Sequence, residues 1–303
     1  MAITIRPVGG LGNQLFIYAA GLAVSTKLST PLWADVSHFE TNENREFELD
    51  KFSSGVEKIY SSTFDSARDS GSKKGLRERF WSAAKPEEAV VQDRGFWFDP
   101  QVLEAQDGAI LQGHLQSWKY FYEIRHDIRE RVNKIVNPSD WFLEKWETLS
   151  SVDPWIGVHV RRGDYLTIER MGISTDYYYA RSIKFLQILT GVKDIIVFSD
   201  DMQAARNLPS LKEGKNIRFW ETPTNSSPLE NLLLLSLCHH LVMANSSFSW
   251  WAGWLRDSED RLVTYPRPWI DFRFINDRDL PMPSWIGMGR EPLETARTNH
   301  VGY

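Results

Sequence analysis

The chain has 303 residues, of which 42% are hydrophobic and 25% charged, a composition that excludes a disordered or fibrous protein. Its formal net charge of −5 argues against non-specific binding to nucleic acid. The single cysteine, Cys238, excludes an internal disulfide and a cysteine-based zinc site, and no run of about 18 apolar residues is present to span a membrane.

The first half of the chain alternates strand and helix patterns. Strands are predicted over 3–8, 31–36 and 109–114, and a helix over 15–29, where apolar residues recur at helical spacing. The region between the second and third strands is polar and poorly periodic, and its segment 61–75 is predicted to be a loop.

The second half begins after a helical stretch at 120–150 and a break near 150–155. Strands are predicted over 155–160, 194–200, 216–221, 240–247 and 261–266, with helices near 175–190, 201–206, 228–240 and 247–257. This alternation predicts parallel sheets of the α/β class. One doubly wound sheet is possible, but the long middle region favours two domains, 1–152 and 153–303. The tail after about 275 is predicted to be irregular.

Aromatic residues make up 13% of the chain and include 13 tryptophans. They indicate either a core built from large side chains or stacking surfaces for sugar rings, and composition does not choose between the two.

Three polar clusters follow predicted strands, at the edge where open α/β sheets bind ligands. The first is GGLGNQ at 9–14, where Gly10 and Gly12 allow a tight turn and Asn13 and Gln14 stand at the helix start. Asn13 either caps that helix or faces a ligand. The motif is neither a dinucleotide-binding fingerprint nor a P-loop, and a plain turn is the alternative.

The second cluster is HVRRGDY at 159–165. Strand alternation sends His159 and Arg161 to one face and Arg162 to the other, so the two arginines have different roles. One is suited to fork onto phosphate oxygens, and the other to pair with a carboxylate such as Asp164. A solvated surface turn is the alternative.

The third cluster is ANSSFSWWAGW at 244–254, in which a strand ends and a helix begins. Its candidate residues are Asn245, Ser246, Ser247, Phe248 and Ser249. Serine hydroxyls and the N–H groups of a helix N-terminus form a seat for phosphate, although simple N-capping explains the same residues.

A fourth strand end, FSDD at 198–201, carries two aspartates. They could bind Mg²⁺, but further oxygen ligands are not identifiable, so Asp200 or Asp201 is predicted to cap the next helix instead.

Taken together, GGLGNQLF, HVRRGDY and NSSFSWWAGWL resemble glycosyltransferase family 11, the α-1,2-fucosyltransferases, over about residues 5–275. The resemblance implies a GT-B fold, in which two Rossmann-like domains face a cleft, an N-terminal acceptor-side domain and a C-terminal domain for the donor. It also implies transfer of fucose from GDP-fucose to the 2-hydroxyl of a galactoside, with inversion and without a metal or other cofactor. Bacterial relatives build O-antigen and similar glycans from the cytoplasmic side.

The resemblance further implies roles for individual residues. Arg161 would contact the donor diphosphate, His159 would lie near guanine, Ser247 and its neighbours would hold the β-phosphate, and Asn13 would reach the fucose–phosphate region. Guanine would be read by Glu230 or Asn231. Relatives often carry an acidic pair there, so Asn231 departs from the pattern.

The chemistry of the residues agrees with such a transfer. Cationic and helix-end donors stabilise the charge that develops on a leaving diphosphate, and the attacking hydroxyl needs a base. Asp164 is the first candidate for that base, with Glu169 and Asp176 as alternatives, while pairing with Arg162 is an equally good role for Asp164.

Two other classes remain open. A carbohydrate-binding protein would explain the aromatic residues but not the arginines, and a GDP-mannose transferase would share the architecture. The partners expected are a nucleotide sugar and a galactose-terminated or lipid-linked glycan, with no nucleic acid. The opening MAITIRPVGG lacks a long apolar core and is not predicted to be a signal peptide, so we expect a cytoplasmic protein, with peripheral contact with the membrane possible.

Overall fold

The computed structural model describes residues 1–40, 45–60, 90–93, 95–150, 154–163, 174–212, 216–270 and 276–291. The chain divides into two units, the first of Met1–Val136 with Arg278–Leu280 and the second of Asn137–Asp277 with Pro281–Tyr303. The sequence pattern places the boundary at 152/153. In the structure the chain passes between units at 136/137, because helix Asp140–Ser150 packs on helix Pro228–Leu237 of the second unit.

The first unit is built on a parallel sheet. Its strands are β1 (Ile3–Ile5), β2 (Leu32–Asp35), β3 (Glu57–Ile59), β4 (Val90–Gln92) and β5 (Ile110–Gln112), and its helices are α1 (Leu11–Leu28), α2 (Ser37–Glu40) and α3 (Arg125–Asn133). Two short 3-10 helices, Pro100–Glu104 and Trp118–Tyr120, complete the described part. The strand order is β3-β2-β1-β5-β4, and every pairing is parallel.

Three predicted strands of this unit are confirmed, namely β1, β2 and β5. The prediction was incomplete for β3 and β4, which lie in the region taken as polar and poorly periodic. Each has only three residues and half-buried or exposed side chains, so neither shows a pattern long enough to detect. Segment 61–75, predicted as a loop, lies outside the described residues.

The second unit also contains a parallel sheet. Its strands are β6 (Ile156–Val160), β7 (Ile195–Ser199), β8 (Ile217–Phe219), β9 (His240–Val242), β10 (Val263–Arg267) and β11 (Ile286–Gly289). Its helices are α4 (Asp140–Ser150), α5 (Asp176–Thr190), α6 (Met202–Arg206), α7 (Pro209–Lys212), α8 (Pro228–Leu237) and α9 (Ser247–Leu255). The order is β11-β10-β9-β6-β7-β8.

One prediction for this unit is wrong. The tail after 275 was expected to be irregular, yet β11 pairs in parallel with β10 over four residues. Its sequence, IGMG, is too short and too rich in glycine to be recognised as a strand, and only the neighbouring β10 selects the extended conformation. The other predicted strands are confirmed, and with them the α/β class.

In each sheet, the direction in which the chain adds new strands reverses at one pair of neighbouring strands. In the second unit the chain runs outward from β6 through β7 to β8, then returns to β9 on the other side of β6 and continues to β10. In the first unit the corresponding pair is β1 and β5. Open α/β sheets bind ligands beside the carboxyl ends of such strands. This topology therefore marks one candidate edge in each unit.

Helix α9 is fixed by tryptophans in the core of the second unit. The side chains of Trp250, Trp251 and Trp254 are at most 2% exposed, and the Trp250 ring lies 5.4 Å from that of Trp285. For these residues the core interpretation of the aromatic content is correct. Their packing holds the axis of α9, and therefore the direction in which its N-terminus points.

Candidate active site

The carboxyl edge of the second sheet brings together the clusters 159–163 and 244–249, which follow β6 and β9. These two strands are adjacent and parallel, with Val158 paired to Val242. Ser199 and Asp200 arrive at the same edge from β7, which pairs with β6 on its other side. The second and third polar clusters of the sequence are thus joined at the topological switch point.

Arg161 and Arg162 meet the same carboxylate. The Arg161 guanidinium Nη1 lies 3.1 Å from Oδ2 of Asp200, and the Arg162 backbone N–H donates to Oδ1 over 2.9 Å. The side chains of Arg161 and Asp200 are 23% and 22% exposed, so both are open to a ligand while packed on the sheet. Asp164, the partner predicted for Arg162, lies outside the described residues.

The Arg162 side chain has a different environment. Its charge acts on Tyr179 of α5 in the direction that lowers the tyrosine pKa, although burial is the larger effect and raises that pKa. The Tyr179 hydroxyl donates to the His159 carbonyl over 3.2 Å. The Arg162 charge is therefore near enough to Tyr179 to act on it, whereas the Arg161 guanidinium contacts Asp200.

His159 is buried beneath the N-terminus of α9. Its Nδ1 is hydrogen-bonded to Oγ of Ser249, and its ring packs on Phe248 with centroids 5.2 Å apart. Burial, and secondarily the Arg161 charge, lowers the His159 pKa to about 3. The imidazole is therefore neutral at neutral pH. It can exchange hydrogen bonds with an uncharged group such as a nucleobase, but it does not add positive charge.

The serines of the third cluster differ in their surroundings. Ser246 is the N-cap of α9, and its Oγ accepts the N–H of Phe248 over 3.3 Å. Ser249 is fully buried, and its Oγ accepts the Ala244 N–H over 3.2 Å in addition to facing His159. Ser247, at the first position of the helix, is half-buried. Ser247 and the helix-end N–H groups are therefore best placed to meet an anion.

Asn245 precedes the cap and is buried. Its Oδ1 accepts a long hydrogen bond of 3.5 Å from the Ser174 hydroxyl, just before α5. This contact ties the strand end of the third cluster to the start of α5.

Glu230 has a structural role that the sequence analysis missed. It lies in the first turn of α8, is 3% exposed, and forms a capping box with Ser227, whose N–H is 3.3 Å from Oε2. Its Oε1 accepts the Ser139 N–H over 2.7 Å, which joins the starts of α4 and α8. The spacing Ser-x-x-Glu before an apolar run was the available signal.

Asn231, the next residue, orders the loop before α8. Its Oδ1 accepts the Thr222 hydroxyl over 2.9 Å, and its Nδ2 donates to the Ser226 hydroxyl over 3.0 Å. The amide thus links two polar residues of the segment that leaves β8.

The glycine cluster of the first unit forms a turn closed by Gln14. Gly9 has φ of 75°, a conformation that favours glycine, and Gly10 is the N-cap of α1 without a side-chain bond. Gln14 is fully buried, and its amide donates to the carbonyls of Gly9 and Glu46 and accepts the N–H of Glu48. Gln14 therefore ties the 45–49 segment to the turn. Gly12 is buried in the first turn of α1.

Asn13 is not the N-cap of α1, because Gly10 holds that position. Its Oδ1 accepts from Nε2 of Gln116 over 2.9 Å, across the switch point between β1 and β5. The half-buried side chain stands at the carboxyl edge of the first sheet, where open α/β sheets generally bind ligands.

Asp93 is a buried carboxylate beside the carboxyl end of β4 that sequence reasoning missed. It follows β4, its Oδ2 accepts the Leu115 N–H over 2.9 Å, and burial raises its pKa to about 6. Gly113 makes room for it, since a Cβ there would lie 1.8 Å from Oδ1. No local pattern marks an aspartate in a polar region as buried.

Of the candidate bases, Asp164 and Glu169 lie outside the described residues. Asp176 begins α5, and its Oδ1 accepts the Ser210 N–H over 2.9 Å. In the FSDD segment, Asp201 caps α6 by accepting the Ala204 N–H over 2.9 Å, which confirms the capping prediction. Within the described residues, no group of three or more His, Cys, Asp or Glu side chains is arranged to hold a metal ion.

The chain is similar in sequence to known glycosyltransferases. The family model for glycosyl transferase family 11 matches residues 103–289. The chain is 28% identical to the O-antigen biosynthesis glycosyltransferase WbnK of Escherichia coli, over 92% of this chain and 98% of that protein. It is 26% identical to an alpha-1,2-colitosyltransferase of Escherichia coli, over 94% and 98% of the two chains.

A rabbit (Oryctolagus cuniculus) galactoside alpha-(1,2)-fucosyltransferase 2 is 26% identical over 59% of this chain and 53% of its own length. Among solved structures, the fucosyltransferase NodZ from Bradyrhizobium superposes with a TM-score of 0.50 at 16% identity, covering 83% of this chain and 92% of NodZ. That likeness concerns the fold alone. With the two parallel-sheet units, it confirms the predicted GT-B class.

Proposed function

Because the chain belongs to glycosyl transferase family 11, it is a glycosyltransferase, and we propose that it moves L-fucose from GDP-fucose to the 2-hydroxyl of a β-galactoside, with inversion. The observation that carries the proposal is the carboxyl edge of the second sheet. There a neutral, buried histidine, a partly exposed arginine and a helix N-terminus meet at the switch point. The histidine suits a nucleobase and the arginine suits a diphosphate. The helix N-terminus suits the negative charge that develops as the diphosphate leaves.

The second unit is the donor side in this proposal. His159 and Phe248, whose rings pack together, would lie toward the guanine, and Asn231 orders the loop after β8 through its bond to Thr222. In this proposal Glu230 holds α8 in place and does not contact guanine, because each of its carboxylate oxygens already accepts a hydrogen bond from a backbone N–H group. Arg161, Ser247 and the N–H groups at the start of α9 receive the diphosphate.

Departure of GDP develops negative charge on the β-phosphate, which the guanidinium and the helix-end dipole stabilise more strongly as it grows. Arg161 presents a planar fork that matches two phosphate oxygens. These donors supply the positive field that a divalent metal supplies in other transferases, so we propose that the reaction needs no metal.

The first unit is the acceptor side. Asn13 and Gln116 stand together at its switch point, and Asn13 is the residue of the glycine turn proposed to reach the fucose–phosphate region. We assign the acceptor's proton to Asp164, which follows the arginine pair by two residues.

A second donor is supported by a specific comparison. The alpha-1,2-colitosyltransferase matches this chain over nearly the full length of both. Colitose differs from fucose by the absence of the 3-hydroxyl. A site that hydrogen-bonds this hydroxyl rejects the deoxy sugar by about 10⁴-fold or more, whereas a site that does not bond it discriminates weakly.

A donor panel tests the proposal. Purified protein is incubated with a β-galactoside and one of GDP-fucose, GDP-colitose, GDP-mannose or UDP-galactose, while nucleotide release and product linkage are measured. The proposal expects GDP release and an α-1,2 linkage with GDP-fucose. Turnover with GDP-colitose alone would establish the second candidate, and turnover with GDP-mannose alone would contradict both.

Location is part of the same proposal. A relative named for O-antigen biosynthesis suggests an acceptor of that kind, which we place at the cytoplasmic face of the membrane, with this protein bound peripherally or free in the cytoplasm. No helix in the described part of the chain has the length and apolar character of a membrane span. Fractionation of cells that express the full chain tests the location.

A further inference from the structure

Asp200, which follows β7, lies against the 161–163 turn and contacts it at two points. Its Oδ2 is 3.1 Å from the Arg161 guanidinium, and its Oδ1 accepts the backbone N–H of Arg162 over 2.9 Å. One carboxylate therefore orients a side chain with one oxygen and the backbone that carries it with the other. The carboxylate is thereby fixed against the backbone of the turn, so its contact with the guanidinium restricts a long, rotamer-rich side chain more than a contact with a freely rotating carboxylate would.

The turn is shaped to receive this carboxylate. A Cβ at Gly163 would lie 2.3 Å from Oδ2 of Asp200, closer than any side chain allows. Glycine at this position lets the carboxylate lie directly against the backbone. Gly163 thus leaves room for the carboxylate that Arg161 and Arg162 contact.

Helix capping does not explain Asp200. The next residue, Asp201, is the N-cap of α6 and accepts the Ala204 N–H over 2.9 Å, while the contacts of Asp200 are to the other strand end. The two adjacent carboxylates therefore have separate tasks. This division gives a matched control one residue away.

We infer that Asp200 is a positioning residue, which holds the Arg161 guanidinium in the orientation that meets the donor diphosphate. The inference rests on the proposed function. The charge of an aspartate repels a nearby diphosphate, so Asp200 can favour its binding only through the orientation that it gives Arg161. Through this contact the guanidinium already has the orientation that the diphosphate requires before the ligand binds.

The test compares the affinities of GDP and GMP by titration calorimetry, without acceptor. The ratio of the two dissociation constants isolates the β-phosphate contribution. Asp200→Asn keeps the shape and an oxygen for the Arg162 N–H, but it removes the charge that orients Arg161. We expect the GDP preference to fall by about tenfold, the size of one charge-assisted hydrogen bond. Asp201→Asn, in which asparagine still caps α6, should leave the preference unchanged.

A double variant separates positioning from general destabilisation. Arg161→Ala should itself lower the GDP preference, and adding Asp200→Asn should cause no further loss, because there is no guanidinium left to orient. A purely structural role predicts a lower melting temperature with the preference intact, which would overturn the inference. An increased preference would also overturn it, since repulsion would then be the dominant effect of Asp200.

The same titrations distinguish the inference from the proposed function. If the unaltered protein prefers GDP and Arg161→Ala removes that preference while Asp200→Asn does not, only the inference fails. If the unaltered protein shows no preference for GDP over GMP, both fail, because the second unit then has no diphosphate site.

Discussion

At the scale of single residues, the carboxyl edge of the second sheet carries a charged side chain, Arg161, and a neutral one, His159. Arg161 is partly exposed and held by a carboxylate, whereas His159 is buried and has a strongly lowered pKa. The arginine therefore supplies charge, and the histidine supplies hydrogen bonds and an apolar surface. The contribution of the Arg161 charge can therefore be tested by substitution.

Arg161→Ala should lower kcat/KM by about tenfold to a hundredfold, because a charge-assisted hydrogen bond to the leaving group is lost. Arg161→Lys should recover part of the loss, since lysine keeps the charge but not the fork. Arg206→Ala is a suitable control, because Arg206 forms an exposed pair with Glu221 in the same unit. Near-normal transfer by a folded Arg161→Ala protein would show that the arginine has another role.

Asp164→Asn tests the assignment of the base. Removal of a catalytic base slows a reaction by about 10²–10⁴-fold, so transfer should nearly disappear while GDP affinity stays within a few-fold of the original. Measurement of both quantities and of the melting temperature on one sample decides the question. A large drop in melting temperature with matching loss of GDP binding would instead indicate a structural pair, and would direct the search to Glu169 and Asp176.

Two buried carboxyl groups of the first unit should make stability depend on pH. Burial raises the pKa of Asp93 to about 6 and that of Glu48 to about 7, so the folded state binds these protons more tightly than the unfolded state does. The free energy of unfolding should therefore increase as pH falls from 8 to 5. His159 acts oppositely, because its lowered pKa removes stability as pH falls below about 6.5.

Variants separate these opposing effects. Asp93→Asn and Glu48→Gln carry no titrating proton, so their melting temperatures relative to the original protein should be higher at pH 8 than at pH 5. Thermal unfolding measured at both values checks the sign. A difference that is constant with pH would show that burial does not shift these two groups.

At the scale of elements, the helix termini of the second unit have different roles. The N-terminus of α9 faces the proposed diphosphate and is capped by Ser246, while that of α8 is closed by Ser227 and Glu230. A terminus whose N–H groups are satisfied by a buried capping box has less capacity for an anion than one that carries a half-buried serine. The prediction for Glu230 follows from this distinction.

Glu230→Ala should destabilise the second unit by about 1–3 kcal/mol, because two part-buried backbone N–H groups lose their acceptor. GDP affinity measured well below the melting temperature should change little. Glu144→Ala, at an exposed position of α4 beside Lys145, is the control for loss of a glutamate. A normal melting temperature combined with weak GDP binding would restore Glu230 as a residue that reads guanine.

At the scale of the whole molecule, the chain has two parallel-sheet units, and each carries a polar switch point. In our proposal the second binds the donor and the first the acceptor. We also propose that an arginine and a helix end meet the charge on the leaving group and together replace a metal. That substitution is a property of the complete enzyme, so it is tested on the complete enzyme.

Transfer from GDP-fucose should continue at an unchanged rate in excess EDTA, with protein dialysed against the chelator beforehand. The reason is that the positive field proposed for the diphosphate comes from the chain itself. Loss of activity that Mg²⁺ or Mn²⁺ restores would contradict this, and would make Asp200 and Asp201 the first candidates for ligands.

The sequence by itself determined the α/β class and the three motifs at strand ends, because apolar runs bounded by glycine and polar residues are local patterns. Strand alternation also predicts separate faces for Arg161 and Arg162. The short strands β3, β4 and β11 were not determined in this way, since three or four residues carry no period and depend on a neighbouring strand for their conformation.

Only the tertiary structure decided which polar groups meet. Asp200 lies 39 positions after Arg161 in the chain, and Ser249 lies 90 after His159, yet both pairs are in contact because adjacent parallel strands end at one edge. Burial was decided in the same way, since Asp93 and Gln14 are polar residues that the fold encloses. Sequence patterns report local preference, whereas contact and burial depend on what the rest of the chain packs around a residue.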